Sequence, residues 1–265
     1  MSSLTTDPQE VRRFYDQQVL EHSKMPAVLG CRSQLTADYR MQREWQLFRK
    51  LVPLNKGIHF LELGCGGGRW AEKIAPQISE FTGIDFSANA IAHARKNALR
   101  KGIKNIQYHL ADIQEFEPNG RYDIIYFSSV LIYISQKEFA NVIEKYSRHL
   151  CEKGQLLIRD SLSDRTHCLE HPGYSAIYRS FVEYNKALQG LHFQLLDRVE
   201  ISRPLKHLRL WDSRFVNRIY RWAKHWHISS PFFFVIWLLS EGVQTRKRQT
   251  ADPSYSHDLL IFMKK

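Results

Sequence analysis

Apolar positions recur along this chain in two rhythms, helical stripes and short unbroken runs. Val11, Phe14, Tyr15 and Val19 fall at helical spacing and predict a short amphipathic helix over residues 8–24. Trp45, Leu47, Phe48 and Leu51 predict a second helix over 39–51, with an irregular loop over 25–37 between the two. Strands are then expected at 58–61, 81–87, 106–110, 122–127 and 155–160. Helices starting at Trp70, after Ser87 and over 136–150 alternate with them. Ser87 is placed to cap its helix. Tyr122-Asp123-Ile124-Ile125-Tyr126-Phe127 is nearly continuous in apolar side chains, as a central parallel strand buried on both faces should be. Regular alternation through residue 160 predicts an α/β fold with a doubly wound, mostly parallel sheet. After it a loop is expected over 161–173, a helix over 174–188, a sixth strand over 190–201 and a seventh over 257–263. The chain divides accordingly into helices at 1–54 and an α/β domain at 55–265, with an insertion at about 204–254.

The first strand runs into four glycines within five residues, Gly64-Cys65-Gly66-Gly67-Gly68, followed by the start of a helix. Strand, glycine turn and helix together present free backbone N–H groups and a helix N-terminus to a ligand. Gly66-Gly67-Gly68-Arg69-Trp70-Ala71 fits the dinucleotide pattern G-x-G-x-x-A, a weak match when taken alone. Asp85 ends the second strand 21 residues beyond Gly64, where an acid can reach a ribose diol. Nicotinamide enzymes and methyltransferases share that device, so Asp85 points to a nucleoside without choosing which.

Glu62 lies inside the last turn of the strand, ahead of Gly64, Gly66 and Gly68 at alternate positions. This E-x-G-x-G-x-G resembles the first motif of class I S-adenosylmethionine-dependent methyltransferases. The resemblance covers residues 55–202 and 256–264. It implies S-adenosyl-L-methionine as cofactor, with Glu62 orienting its ammonium group and the glycines making room for it. Contacts are then expected from Glu62, Gly64, Cys65, Gly66, Gly68, Asp85, Phe86, Asp112, Ile113 and Ser128. Asp112 holds the position where the family accepts from the adenine amine, although it could also merely cap a turn. The resemblance further implies an antiparallel last strand inserted beside the sixth, an ending a nicotinamide domain has no reason to have. The helices of 1–54 resemble the lid of small-molecule methyltransferases, which would bring Tyr15, Tyr39, Arg40 and Arg43 toward cofactor or substrate.

The insertion departs from a minimal methyltransferase. Leu208, Trp211, Phe215, Ile219, Trp222 and Trp226 share one helical arc, while Arg214, Arg218, Arg221, Lys224 and His225 share another. From Arg203 to Arg248 ten Lys/Arg face two acids, +8 of a net charge of +11. A tryptophan-rich face beside a basic one resembles a helix lying in a membrane interface, so peripheral membrane contact through 208–248 is one expectation. A substrate lid or a dimer contact is the other. RNA is a weaker explanation of the charge, because Ser128-Ser129-Val130-Leu131 stands where amino-group nucleic-acid methyltransferases carry N/D-P-P-Y.

Cys31, Cys65, Cys151 and Cys168 are scattered with no C-x-x-C pair, which fits a reducing cytoplasm and argues against a disulfide framework. The N-terminus is polar, with no secretory signal expected. His167, Cys168 and His171 imitate a metal spacing, but no carboxylate cluster accompanies them, so no metal is expected. Tyr133, Asp160, His167 and His171 lie at or just past strand C-terminal ends, where open α/β sheets bind ligands. They are the candidates for base or acceptor positioning, with Tyr133, Asp160 and His167 foremost. Tyr15, Arg43, Tyr174, Tyr178 and Arg179 are candidates for acceptor binding. The expected activity is methyl transfer to an O or N atom of a small-molecule or amphipathic, lipid-linked acceptor. The alternatives are an RNA methyltransferase, an NAD-dependent oxidoreductase, or a module that binds S-adenosylmethionine without turnover.

Overall fold

A computed structural model describes residues 4–21, 34–202 and 256–264. Two helices come first, α1 (Pro8–Glu21) and α2 (Gln34–Leu51). Next come β1 (His59–Leu63), a four-residue α3 (Ala71–Ile74), β2 (Glu80–Asp85), α4 (Ala88–Arg100), β3 (Ile106–Leu110) and β4 (Tyr122–Ser128). Then follow α5 (Phe139–Ser147), β5 (Leu150–Ser163), β6 (His167–His171), β7 (Tyr174–Ser180), α6 (Phe181–Gly190), β8 (Phe193–Ser202) and β9 (Ser256–Lys264). The chain divides into two compact units. One holds Met1–Ala27, Leu54–Glu200 and Ser256–Lys265, and the other Val28–Pro53 with Ile201–Tyr255. Helix α2 belongs to the second unit, and within it Trp45 stacks on Phe48 at 6.1 Å between ring centroids. Helix α2 begins five residues earlier than its apolar stripe predicts. The insertion at 204–254 lies outside the described residues.

The sheet of the first unit runs β3-β2-β1-β4-β5, all parallel. Its centre is as apolar as the sequence demands. Ile124, Ile125, Tyr126 and Phe127 of β4 are at most 3% exposed, and Phe60, Leu61 and Leu63 of β1 are wholly buried. Two faces of dry side chains leave no room for a solvated edge here, which is why the run reads as continuous rather than alternating. Strand β9 pairs antiparallel with β5 from Gln155↔Met263 to Leu162↔Ser256, and β8 pairs with β9. The antiparallel ending is therefore present.

Two sequence expectations are corrected between residues 161 and 188. Strand β5 runs on to Ser163, and β6 and β7 form an antiparallel hairpin where a loop and a helix were expected. Strand β7 continues the sheet beside the end of β5, at Leu162↔Arg179 and Ser163↔Ser180. The described sheet thus has nine strands rather than seven. Tyr174–Ser180 has five consecutive buried residues, a pattern no surface helix can show. The helix begins only at Phe181, where the Ser180 hydroxyl accepts from Glu183 N at 3.3 Å. Ser180-x-x-Glu183 is a capping signature, and the tyrosines upstream of it carry the strand.

Candidate active site

A cleft opens where β1 to β4 end. Gly64 follows β1, Asp85 and Phe86 end β2, and Asp112, Ile113 and Gln114 follow β3. Val130, Tyr133 and Ile134 come from the turn after β4, and Pro8 and Val11 come from α1. C-terminal strand ends are where a doubly wound sheet binds its ligand, because the crossovers leave a crevice there.

The glycine turn is bound down on its protein side and bare on its ligand side. Gly64 N and Cys65 N both donate to Ile84 O, at 2.8 and 3.0 Å. Gly64 has φ +80°, and a Cβ there would fall 2.0 Å from Val130 Cγ1. Gly66, at φ +50°, has no heavy atom within 4 Å of where its Cβ would stand. Its N–H donates to Asp85 Oδ2 at 2.8 Å, while Ser87 N donates to Asp85 Oδ1 at 2.9 Å. Asp85 is thereby clamped to the turn with lone pairs left over on both oxygens. Burial raises its carboxyl to about 6 in spite of those two bonds. Asp112 accepts from Gln114 N at 2.8 Å, as a turn cap would, and it also lines the cleft.

Glu62, two residues before Gly64 on β1, is 0% exposed and does not itself line the cleft, and neither carboxylate oxygen has a well-formed hydrogen bond among the described residues. Burial raises it to about 8, against smaller lowering effects of a loose Ser128 hydroxyl contact and of the Arg159 charge. A buried acid with no well-formed donor is costly, and natural folds keep one where a ligand completes it. Cys65 is buried in the turn, and burial pushes its thiol well above the usual range, so it behaves as a small apolar residue. Ser129, just beyond β4, holds φ 59°, a strained value for a non-glycine residue beside the cleft. Its N–H donates to Arg159 O at 2.7 Å, and Arg159 Nη1 donates to its hydroxyl.

Helix α1 is tied down beside the cleft. Thr6 Oγ1 donates to Tyr133 O at 2.5 Å, Gln136 N to Leu4 O at 3.0 Å, and Ser87 Oγ to Asp16 Oδ1 at 2.5 Å. Tyr15 and Tyr133 share a hydrogen bond between their hydroxyls. Tyr174 packs on both, at 6.2 and 5.8 Å between centroids, and His171 stacks on Tyr174 at 4.7 Å. Burial lifts both the Tyr15 and Tyr133 phenols well above their ordinary value, so neither serves as a base near neutral pH.

The other candidates are placed elsewhere. Asp160 is 1% exposed, accepts from Tyr184 Oη at 3.0 Å, and does not line the cleft. Arg179 is wholly buried and spends its donors on the protein, as Nη1 donates to Leu131 O at 2.7 Å and Nη2 to Ile134 O at 2.6 Å. It therefore fixes the turn that borders the cleft and has no fork left for an acceptor. His167 sits on β6, its Nδ1 2.9 Å from Arg165 O and its ring stacked on buried Tyr178. Arg43 lies on α2, in the second unit. Among the described residues no group of three or more His, Cys, Asp or Glu is placed to hold a metal ion. Sequence reading missed Pro8, Val11, Gln114, Val130 and Ile134 as cleft residues. Apolar side chains at turns carry no chemical signal.

Residues 60–154 match the family described as methyltransferase domain. They belong to it. The fold of the whole first unit agrees, being the Rossmann-like arrangement of class I methyltransferases. The ubiquinone biosynthesis O-methyltransferase of Sodalis glossinidius is 36% identical over 93 residues, covering 34% of this chain and 34% of that protein. Nodulation protein S of Sinorhizobium fredii is 30% identical over 96 residues, covering 36% of this chain and 44% of the other. The matches thus span less than half the length of these relatives. Among solved structures, the [4+2]-cyclase SpnF superposes with a TM-score of 0.64 at 18% identity, covering 98% of this chain and 97% of that one. The complex of DhpI with SAH superposes at 0.57 and 19% identity, covering 73% and 90%.

Proposed function

We propose that this protein binds S-adenosylmethionine in the cleft and transfers its methyl group to an O or N atom of a small-molecule acceptor. The observation that carries the reading is Glu62, a buried carboxylate beneath a glycine turn with no well-formed hydrogen bond among the described residues, which fits a ligand bearing an ammonium group. Asp85, at the end of β2, suits a ribose diol, and Asp112 suits an exocyclic adenine amine. Apolar Val11, Ile113, Val130 and Ile134 around them keep water away. When bound, S-adenosylmethionine supplies a methyl group on a sulfonium, activated for in-line displacement. The chain's share of the work is positioning, which can account for much of the rate. Tyr15 and Tyr133 offer neutral hydroxyls to an acceptor, and neither removes its proton. An amine arriving unprotonated therefore suits the described site better than an alcohol that needs a base.

The nucleoside pocket is tested by substitution. Asp85→Asn and Asp112→Ala are each expected to weaken S-adenosylhomocysteine binding by about 10-fold or more, since each removes a hydrogen bond to a charged group. Unchanged affinity in both variants would remove the assignment. Turnover is tested with methyl-labelled S-adenosylmethionine and a panel of amines, phenols and lipid-linked alcohols. Labelled product is expected from one of them. The likeness to a cyclase favours a second reading, a fold used without methyl transfer. Cofactor binding with no labelled product would support that one.

An amphipathic acceptor or a membrane-surface location rests on the charge and tryptophans of the insertion. Triple charge reversal at Arg214, Arg218 and Arg221 to glutamate is expected to abolish co-sedimentation with anionic vesicles. Undiminished co-sedimentation would discard this part of the reading. No helix among the described residues is long and apolar enough to cross a membrane.

A further inference from the structure

The groups packed around Glu62 come from every neighbouring strand. Gly83 of β2 and Tyr126 of β4 flank it in register. Asp85 at the end of β2 and Cys65 in the turn act on it or are acted on by it as like charges, and so is Tyr108 of β3. Among the described residues Arg159 of β5 is the cation acting on it, and Arg159 also bonds the Ser129 hydroxyl. Burial outweighs that attraction. A fully buried carboxylate held by no more than a loose Ser128 hydroxyl contact is far more stable with its proton on.

We propose that Glu62 is protonated in the ligand-free protein and releases that proton when the ammonium group of the cofactor binds. The inference rests on the S-adenosylmethionine reading above. In the exchange the O–H bond of the Glu62 carboxyl breaks, the proton passes to solvent, and the carboxylate left behind faces the incoming ammonium. The buried site is neutral before and after, so neither state holds an uncompensated charge. Selectivity follows from the same exchange, because a ligand with the nucleoside but no ammonium leaves the proton in place. Affinity for the ammonium-bearing ligand therefore rises with pH until Glu62 is already ionised.

Proton release is read by titrating the full chain with S-adenosylhomocysteine at pH 7 in phosphate, HEPES and Tris. This ligand has the ammonium group without the sulfonium charge. The slope of observed enthalpy against buffer ionisation enthalpy gives the protons exchanged. A group titrating at about 8 releases about 0.9 proton at pH 7, whereas Asp85 at about 6 releases about 0.1 at most. A slope near one proton is expected for the protein at pH 7, shrinking as pH rises past about 8. In Glu62→Gln the release at pH 7 is expected to vanish, with affinity at least 10-fold lower. Buffer-independent heat of binding in the unsubstituted protein would overturn the proposal and leave the cofactor reading standing. So would a full proton released by Glu62→Gln. Absence of binding in the unsubstituted protein would overturn the cofactor reading itself.

Discussion

Gly64→Ala is expected to lower stability by about 3 kcal/mol, on the order of 10 °C in Tm, and to abolish cofactor binding at micromolar concentrations. Two costs add. An alanine at φ +80° sits in a region that L side chains rarely adopt, for about 1 kcal/mol. Its Cβ would also lie 2.0 Å from Val130 Cγ1 and 3.2 Å from the Ser128 carbonyl oxygen. Turning Val130 away relieves the first contact but not the second, which is backbone. Overpacking of this kind costs roughly 1–3 kcal/mol. Ser128 ends β4, and Val130 just beyond it lines the cleft, so strain at Gly64 distorts the ligand wall directly. Gly66→Ala is the comparison that separates folding from binding. It meets nothing within 4 Å and should cost only about 1 kcal/mol. Its methyl group nevertheless occupies the space before the cleft, so affinity for S-adenosylhomocysteine should fall by about 10-fold or more. Thermal denaturation and calorimetry on the two variants check this. Equal stability in both would mean the turn tolerates side chains and the geometry at Gly64 is misjudged.

Arg179→Met is the second large effect, expected at about 3–5 kcal/mol of lost stability. The guanidinium is wholly buried, donates to Leu131 O, Ile134 O and Gln136 Oε1, and lies 4.2 Å over the Phe139 ring. Methionine of similar length fills much of the space but leaves two backbone carbonyls without these donors. It also removes a cation that acts on buried Asp160. Burial already raises Asp160 to about 7, and with the cation gone it is expected to stay protonated to higher pH. A group whose folded pKa is raised contributes stability at low pH that fades as pH rises, so the Met variant should be hurt more at pH 8 than at pH 5. Arg179→Lys should recover little, because one ammonium does not span both carbonyls. Urea denaturation at the two pH values measures all of this. Wild-type stability in Arg179→Met would show that the turn is held by other contacts. Because that turn carries Tyr133 and Ile134, the same variant should also weaken S-adenosylhomocysteine binding.

The nucleotide-binding half of the fold was legible in the sequence for a physical reason. Parallel strands buried on both faces, a glycine turn and acids at strand ends are local signals, and each survives folding unchanged. Gly64, Asp85 and Asp112, which line the cleft, were singled out this way, as was Glu62 on the strand before them. The hairpin of β6 and β7 was not, because Tyr174, Tyr178 and Arg179 also fall at helical spacing and only the Ser180 cap marks the boundary. Arg179 shows the limit most clearly. An arginine among tyrosines past a strand end suggests an anion site, yet its donors close on carbonyls 45 and 48 residues away in sequence. No local pattern reports such a partner. The meeting of Tyr15 with Tyr133 across 118 positions was hidden for the same reason, although both residues had been singled out separately.

The central claim is that the cleft takes S-adenosylmethionine, and calorimetric titration of the full chain with S-adenosylhomocysteine, in parallel with NADH, tests it most directly. Micromolar binding of S-adenosylhomocysteine with no heat from NADH is the predicted result. Binding of NADH alone would contradict the account, because it would mean that the buried Glu62 carboxylate and the antiparallel β9 do not mark a methyltransferase site.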